Sequence, residues 1–386
     1  MVSAPLAYST NLHAAESAEE IAVALTRFAG PLRQRLGWDR LGVDLRLGSA
    51  ALRGDLGALR RTLDAHRLSA HTLNGFPLRP FQAARVKEDA YLPDWSEPER
   101  LADSLRLIEA ALLLCDDPEV TVSTCPGSFR PLGPGRNDAE GFARALGHWA
   151  AAACRARART GRSVVLCPEP EPWCLLETSW DVAAFWSGPL AVAGVAAAAA
   201  DLDGDVTAGR AAVAHHLAVC FDTCHISLAF ESQSEAVARL LAAGARIAKV
   251  QVSAAPQAAA GEPEQIAALA QMAEPRFLHQ SATSDGRGGL ARCVDLDGLL
   301  PCLARLPGAR EVRSHFHVPI DAIRLSNGLA TTAADSRLGL AACLAAGCRH
   351  IAVETYTWPL LAADEASRLD GTQRELATLQ AWCDGA

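Results

Sequence analysis

The sequence predicts an α/β fold, a (β/α)8 barrel carrying an inserted hairpin and an extra βα element. Three observations predict it. A short β-type run, a polar segment and a helical Ala/Leu/Arg pattern recur eight or nine times along the 386 residues, as a parallel sheet with outer helices requires. Polar residues gather at the C-terminal ends of nearly all these runs, as they do at a barrel mouth. No GxGxxG follows the first run, where an open nucleotide-binding sheet would carry one.

The β-type runs fall in order at 6–12 (LAYSTNL), 41–47 (LGVDLRL), 68–76 (LSAHTLNGF), 120–124 (VTVST), 163–167 (SVVLC), 217–221 (LAVCF), 247–253 (IAKVQVS), 312–318 (VRSHFHV) and 350–355 (HIAVET). Helical patterns occupy 18–36, 52–66, 98–114, 139–160, 234–243, 263–272, 296–306, 336–346 and 365–382, with glycines such as Gly244 and Gly347 at the joints. That is one strand too many for a barrel. Within 254–312, the segments 277–280 (FLHQ) and 291–296 read as an inserted hairpin around Asp285-Gly286, and the Ala-rich stretch 188–213 reads as a decorated excursion. The whole chain, 1–386, reads as a single barrel domain with these two insertions.

Half the residues are apolar and 21% are charged, which supports a sizeable core and excludes global disorder. The net charge of −8, from 36 basic and 44 acidic residues without a basic tract, argues against a nucleic-acid partner. Apolar runs such as 188–200 are too short and too rich in Ala and Gly for membrane insertion. The first residues, MVSAP, lack a cationic flank and an apolar stretch, so no signal peptide is expected. Twelve cysteines with no CxxC pair fit small buried hydrophobes in a reducing, cytoplasmic setting better than staples or a thiolate zinc site. The barrel exterior could pair in a homodimer, but no helix pattern demands it.

The ends of the later strands carry the chemistry. Pro168-Glu169-Pro170-Glu171-Pro172 follows one run, with two carboxylates on the same side of a chain that prolines hold extended. Asp222-Thr223-Cys224-His225 ends the next, Gln251 lies near the end of another, His315-Phe316-His317 follows, and Glu354 closes 350–355. Converged on one mouth, carboxylates so crowded repel unless a cation or protons neutralise them. A set of Glu, Asp, Gln or His and Glu suits Mn, Zn, Mg or Co as a divalent ion. Taken singly, each of these residues has an ordinary structural use as a cap or ion-pair partner; their clustering at successive strand ends favours a metal site.

EPEP and DTCH resemble the xylose-isomerase-like barrel superfamily. The resemblance implies metal ligands at Glu169, Asp222, Gln251 and Glu354, with His225 contacting substrate or a second metal. It is closer to one family. TLNGFP (72–77), RVKEDAYLPDW (85–95), STCPGSF (123–129), EPEPWCLLET (169–178), FDTCH (221–225), KVQVSAA (249–255), HFHVP (315–319) and VETYTW (353–358) look like the metabolite-traffic proteins of Ebo-type gene clusters, the EboE family. These motifs span about 8–358 and imply handling of a small metabolite on its way to export. HFHVP also resembles the segment ending the last barrel strand of xylose isomerase, which makes His317 an alternative fourth ligand; the helix-then-HIAVE pattern favours Glu354. Glu171 stands where xylose isomerase has a catalytic Lys, which weakens a simple aldose–ketose isomerisation.

The remaining mouth is expected from Asn11, His13, Arg46, His71, Asn74, Phe76 and Ser123. The loop 75–95, with Phe76, Lys87 and Trp95, has the length of a lid. Asn11, Asn74, Phe76, Lys87, Trp95, His315 and Trp358 are the expected substrate contacts. The expected reaction is proton transfer beside a metal-polarised oxygen, of isomerase, epimerase or lyase type, with Glu169 or Glu354 as base and His225, His279 or Glu171 as its partner. Two other readings stand beside it. One is metal-dependent phosphodiester cleavage, for which His225, His279, His315 and His317 would suit several zinc ions. The other is a metabolite-binding traffic protein without turnover.

Overall fold

The structure, a computed structural model, describes residues 6–385. Its strands in chain order are β1 Ala7–Ser9, β2 Leu41–Arg46, β3 Leu68–Asn74, β4 Glu119–Thr124, β5 Ser163–Pro168, β6 Val219–Asp222, β7 Ile247–Val252, β8 Pro256–Ala259, β9 Ser281–Ser284, β10 Leu290–Cys293, β11 Glu311–Ser314, β12 Ala330–Thr331 and β13 His350–Val353. Eight of them form one sheet in the order β5-β4-β3-β2-β1-β13-β7-β6, and each adjacent pair is parallel. The ends meet: Leu166 bridges Leu217 in parallel, and the Ala218 N–H donates to the Leu166 carbonyl at 3.0 Å. The sheet is therefore a closed (β/α)8 barrel. Strands such as β2, β5, β6, β7 and β13 are buried along their whole length, as parallel strands wrapped by helices must be.

Local sequence accounts for the outer helices. The run 18–36 forms as expected, opened by a reciprocal cap between Ser17 and Glu20 and closed by Gly37 at φ 66°. The segment between β5 and β6 is helical from Ser179 to Asp201, and its middle, Trp186–Gly194, widens to π-helical pitch around Pro189. This run of 23 residues is longer than the 188–200 stretch read from sequence, and it is apolar and long enough to cross a membrane by length and composition alone. Here it lies against the helix Ala139–Thr160, so closely that a side chain at Gly147 would meet the Gly194 carbonyl.

The surplus strand belongs to an insertion. Between β7 and the helix Ala333–Ala345, a five-stranded sheet in the order β10-β9-β11-β8-β12 forms with antiparallel pairing and buries its own core around Leu269, Leu296, Val312 and Val318. The hairpin at Asp285-Gly286 is β9–β10, starting at Ser281, directly after the FLHQ segment read from sequence. The insertion runs past 312 to the start of the helix at 333, so HFHVP leaves β11 of the insertion and HIAV is the eighth barrel strand.

Candidate metal centre at the barrel mouth

The barrel interior is polar one layer below the mouth. Lys249 on β7, fully buried, places Nζ 2.9 Å from both Asp44 carboxylate oxygens and 2.9 Å from Ser123 Oγ. His71 and His350 lie beside each other with ring centroids 5.3 Å apart, and His350 Nδ1 meets Thr121 Oγ1 at 2.8 Å. His71 and Ser123 thus belong to this lower layer. Arg46 ties loops together through the Ala15 and Pro77 carbonyls, and His13 pairs with Tyr8 Oη at 3.2 Å.

Two residues above Lys249 on β7 comes Gln251, since alternate side chains of a strand share a face. Its Nε2 donates to Glu169 Oε1 at 2.8 Å, reaches toward Asp222 Oδ2 at 3.5 Å and touches Glu354 Oε2. Glu354 Oε1 accepts from Asn11 Nδ2 at 2.6 Å and Asn74 Nδ2 at 3.0 Å. Asp222 Oδ1 accepts the N–H groups of Cys224 and His225 and so caps the short helix Thr223–Leu228. Glu169, Asp222, Gln251 and Glu354, the four residues expected at one mouth, are brought together here. All are buried. Among the described residues none of the three carboxylates is salt-bridged to Lys or Arg; their ion-pair distances are to His225 and His317.

Beside this cluster stand three imidazoles. The Nε2 atoms of His225, His315 and His317 form a triangle with sides of 3.1, 3.1 and 3.2 Å. Their other nitrogens fix the tautomers. His225 Nδ1 faces the Pro170 carbonyl and His317 Nδ1 the Glu354 carbonyl, each at 2.8 Å. A carbonyl only accepts, so both Nδ1 atoms carry protons, and in the neutral ring Nε2 is then a lone pair. His315 Nδ1 meets Gln280 Oε1 at 2.8 Å; Gln280 Nε2 donates to Tyr91 Oη at 2.7 Å, and Tyr91 donates to Glu171 Oε1 at 2.8 Å. That chain of bonds gives His315 the same tautomer. Three neutral imidazoles cannot hydrogen-bond to one another through three lone pairs. Protonation is opposed as well: burial, with the neighbouring imidazoles adding to it, holds His315 far below the usual histidine range, and burial brings His317 down to about 4.

The carboxylates show the opposite strain. Burial first, then the charges of Glu354, Asp222 and Glu171, pushes Glu169 far above the carboxylate range, and burial with Asp222 and Asp44 does the same to Glu354. Burial raises Glu171 to about 7 against the pull of His225 and Tyr91. One oxygen each of Glu169 and Glu171, and Asn11 Oδ1, are buried without a partner. Lone pairs aimed at a common point beside crowded carboxylates and orphaned oxygens fit a divalent cation. Nitrogen and oxygen ligand atoms of Glu169, Asp222 and His225, and separately those of the three histidines, lie within 4.8 Å of one another.

A cavity of about 490 Å³, part of it open to solvent, reaches this cluster, and Asn11, Lys87, Glu169, Glu171, His225 and Glu354 are among its polar walls. Phe76, His315 and His317 also line it. Four expected residues lie elsewhere. His279 stacks on Phe316 at 3.6 Å and uses both nitrogens, on the His315 carbonyl and on Glu274. Trp95 gives its Nε1 proton to the Cys125 carbonyl, and Trp358 gives its own to Glu375. Asn74 stands behind Glu354 rather than on the cavity wall. Gln280 and Tyr91 were not foreseen as partners of the histidines. The signal available was strand alternation, which sends Gln280 to the side opposite its neighbour His279.

No protein-family model and no curated protein matches the chain. Among solved structures it is similar to a xylose isomerase domain protein from Planctomyces limnophilus (12% identity, 99% of this chain and 95% of that one, TM-score 0.44). It is also similar to the probable 3-DHS dehydratase of petrobactin synthesis from Bacillus anthracis (11%, 98% and 99%, TM-score 0.43) and to 3-keto-D-glucoside 4-epimerase from E. coli (15%, 64% and 78%, TM-score 0.36).

Proposed function

We propose that the chain is a divalent-metal-dependent barrel enzyme acting on a small metabolite by proton transfer beside an oxygen, of isomerase, epimerase or lyase type. The observation that carries this reading is the triangle of three Nε2 lone pairs set against Glu169, Asp222 and Glu354. His225, His315 and His317 would hold the cation, with Asp222, Glu169, Glu354 and Gln251 on its acidic side. Gln251 would turn its amide to present Oε1; such an exchange of O and N leaves its shape unchanged. A divalent ion bound there supplies a Lewis acid for a carbonyl or hydroxyl pair.

The chain's own groups do the rest. Glu169, with one oxygen free of partners, is placed to take a proton from a substrate carbon next to a carbonyl or hydroxyl. Glu171 stands on the same wall with one oxygen free, and the Tyr91–Gln280 relay behind it fixes its other oxygen. It can return a proton at the same or the neighbouring carbon. Gln280 and the Pro170 and Glu354 carbonyls act only by orienting the imidazoles. The resemblance of eight motifs to the metabolite-traffic proteins of Ebo-type clusters supports a place in making or exporting a metabolite within the cytoplasm, as one domain with its insertion.

The test is deuterium exchange. Metal-loaded protein incubated in D2O with α-hydroxyketones should label the substrate at the carbon beside the carbonyl, and Glu169→Gln should abolish the labelling while keeping the fold. Tight binding of such compounds without labelling would instead support a binding protein.

A further inference from the structure

The cavity has two unlike halves. Its floor carries the histidines and carboxylates. Its other wall is aromatic: Phe76, Phe81, Tyr91, Phe277 and Tyr356 all line it. Phe81, Phe277 and Tyr356 pack mutually, with ring centroids 4.9, 5.1 and 4.9 Å apart. Tyr356 continues onto the floor, 4.7 Å from the His317 ring. Phe76 packs on Tyr91 at 5.8 Å, and Tyr91 stacks on Phe129 at 4.4 Å, so these rings have fixed orientations.

Apart from the Tyr356 hydroxyl, which bonds to no other side chain or backbone group among the described residues, this wall offers little to a polyol. The Tyr91 hydroxyl is spent on Glu171 and Gln280. Lys87, the one cation on the cavity wall among the described residues, already gives Nζ to Asp295 Oδ2 at 2.6 Å and lies near the Glu274 carbonyl. Oxygen atoms placed against the aromatic half beyond reach of the Tyr356 hydroxyl would lose water without gaining partners, whereas a hydrocarbon ring would gain contact area. The buried acceptors left without a partner around this cavity, by contrast, belong to the floor, at Glu169, Glu171 and Asn11.

We infer that the substrate is a compact two-faced molecule, with vicinal oxygens at one edge and an apolar ring as its body, rather than an open-chain sugar or polyol. The oxygens face the floor and the ring lies against the packed cluster of Phe81, Phe277 and Tyr356. This deepens the enzyme reading, on which the orientation of the oxygens rests; the preference for a ring rests on the aromatic wall alone.

Calorimetric titration of the purified protein, with and without zinc, tests it with two matched α-hydroxyketones. One is 2-hydroxycyclohexanone, and the other is erythrulose, whose body is a hydroxylated chain. The ring compound should bind at least about tenfold more tightly in both states. Phe277→Ala should remove most of that advantage while leaving erythrulose unchanged, and Phe81→Leu, a milder change, should reduce it in part. Erythrulose binding equally or better overturns the inference, as does failure of both compounds to bind. A ring preference that persists without zinc, alongside a failed exchange experiment, would sink the proposed reaction and leave the substrate class standing.

Discussion

Two buried ionic clusters sit one above the other in this barrel, and they are built on opposite principles. The lower one, Lys249 with Asp44 and Ser123, is closed. Burial disfavours both charges and keeps the Asp44 carboxyl above its usual range, yet the ammonium, 2.9 Å from both oxygens, is held protonated. The upper one has three carboxylates bridged by a single amide and three lone pairs facing each other. The same strand, β7, supplies Lys249 to the first and Gln251 to the second. A protein able to place an ammonium in its core has placed none two residues higher. The lower cluster neutralises its own charges; the upper one does not, and we propose that a cation from outside the chain does so.

Breaking the upper cluster should have the largest effect. His317→Ala removes one of three converging nitrogens and should cost at least about 100-fold in zinc affinity, with deuterium exchange lost; metal analysis after dialysis measures it. Without metal its denaturant midpoint should fall by the cost of a lost buried ring and of its bond to the Glu354 carbonyl, about 1–3 kcal/mol, so zinc is scored per folded molecule.

Breaking the lower cluster should do the reverse. Lys249→Met strands a buried carboxylate and should cost about 3–5 kcal/mol in denaturant unfolding. Adding Asp44→Leu should recover much of that loss. Metal bound per folded molecule should change little in either variant.

A buried acid outside both clusters sharpens the contrast. Glu375 is raised from 4.5 to about 7 by burial, while it accepts bonds from Thr355 Oγ1 and Trp358 Nε1, each at 2.6 Å. Because its folded value lies above its unfolded one, the protonated form favours the fold. That stability is full below about pH 4.5 and is lost as the pH rises through about 7, a span of about 3 kcal/mol. Glu375→Gln should flatten this part of the stability–pH curve, and chemical denaturation at about pH 5 and about pH 8 checks it.

The smallest effect should come from the groups behind the histidines. Gln280→Leu frees the His315 ring without removing a ligand and should weaken zinc binding about 10–100-fold in a chelator competition.

Much of this was readable in the sequence. The eight barrel strands follow their β-type runs because parallel strands wrapped by helices are buried on both faces and so are rich in Val, Leu, Ile and Ala, even where the inward face is polar. The acid-x-x-His of 222–225 and the alternate histidines 315 and 317 stood out for the same geometric reason. That the three rings meet was not readable. His315 and His317 arrive from the insertion, whose return over the mouth depends on pairings such as β11 with β9 and β8 between residues far apart in sequence. His279 drew attention as a histidine, while the working position was its neighbour. Trp95 and Trp358 looked like pocket walls because they stand at strand ends, but each indole has a buried acceptor that turns it away from the cavity.

Anomalous diffraction from zinc-soaked crystals tests the central claim most directly. A single strong peak should lie about 2.0–2.1 Å from the Nε2 atoms of His225, His315 and His317. A peak found only elsewhere on the protein, or none at the three rings at saturating zinc, would contradict it.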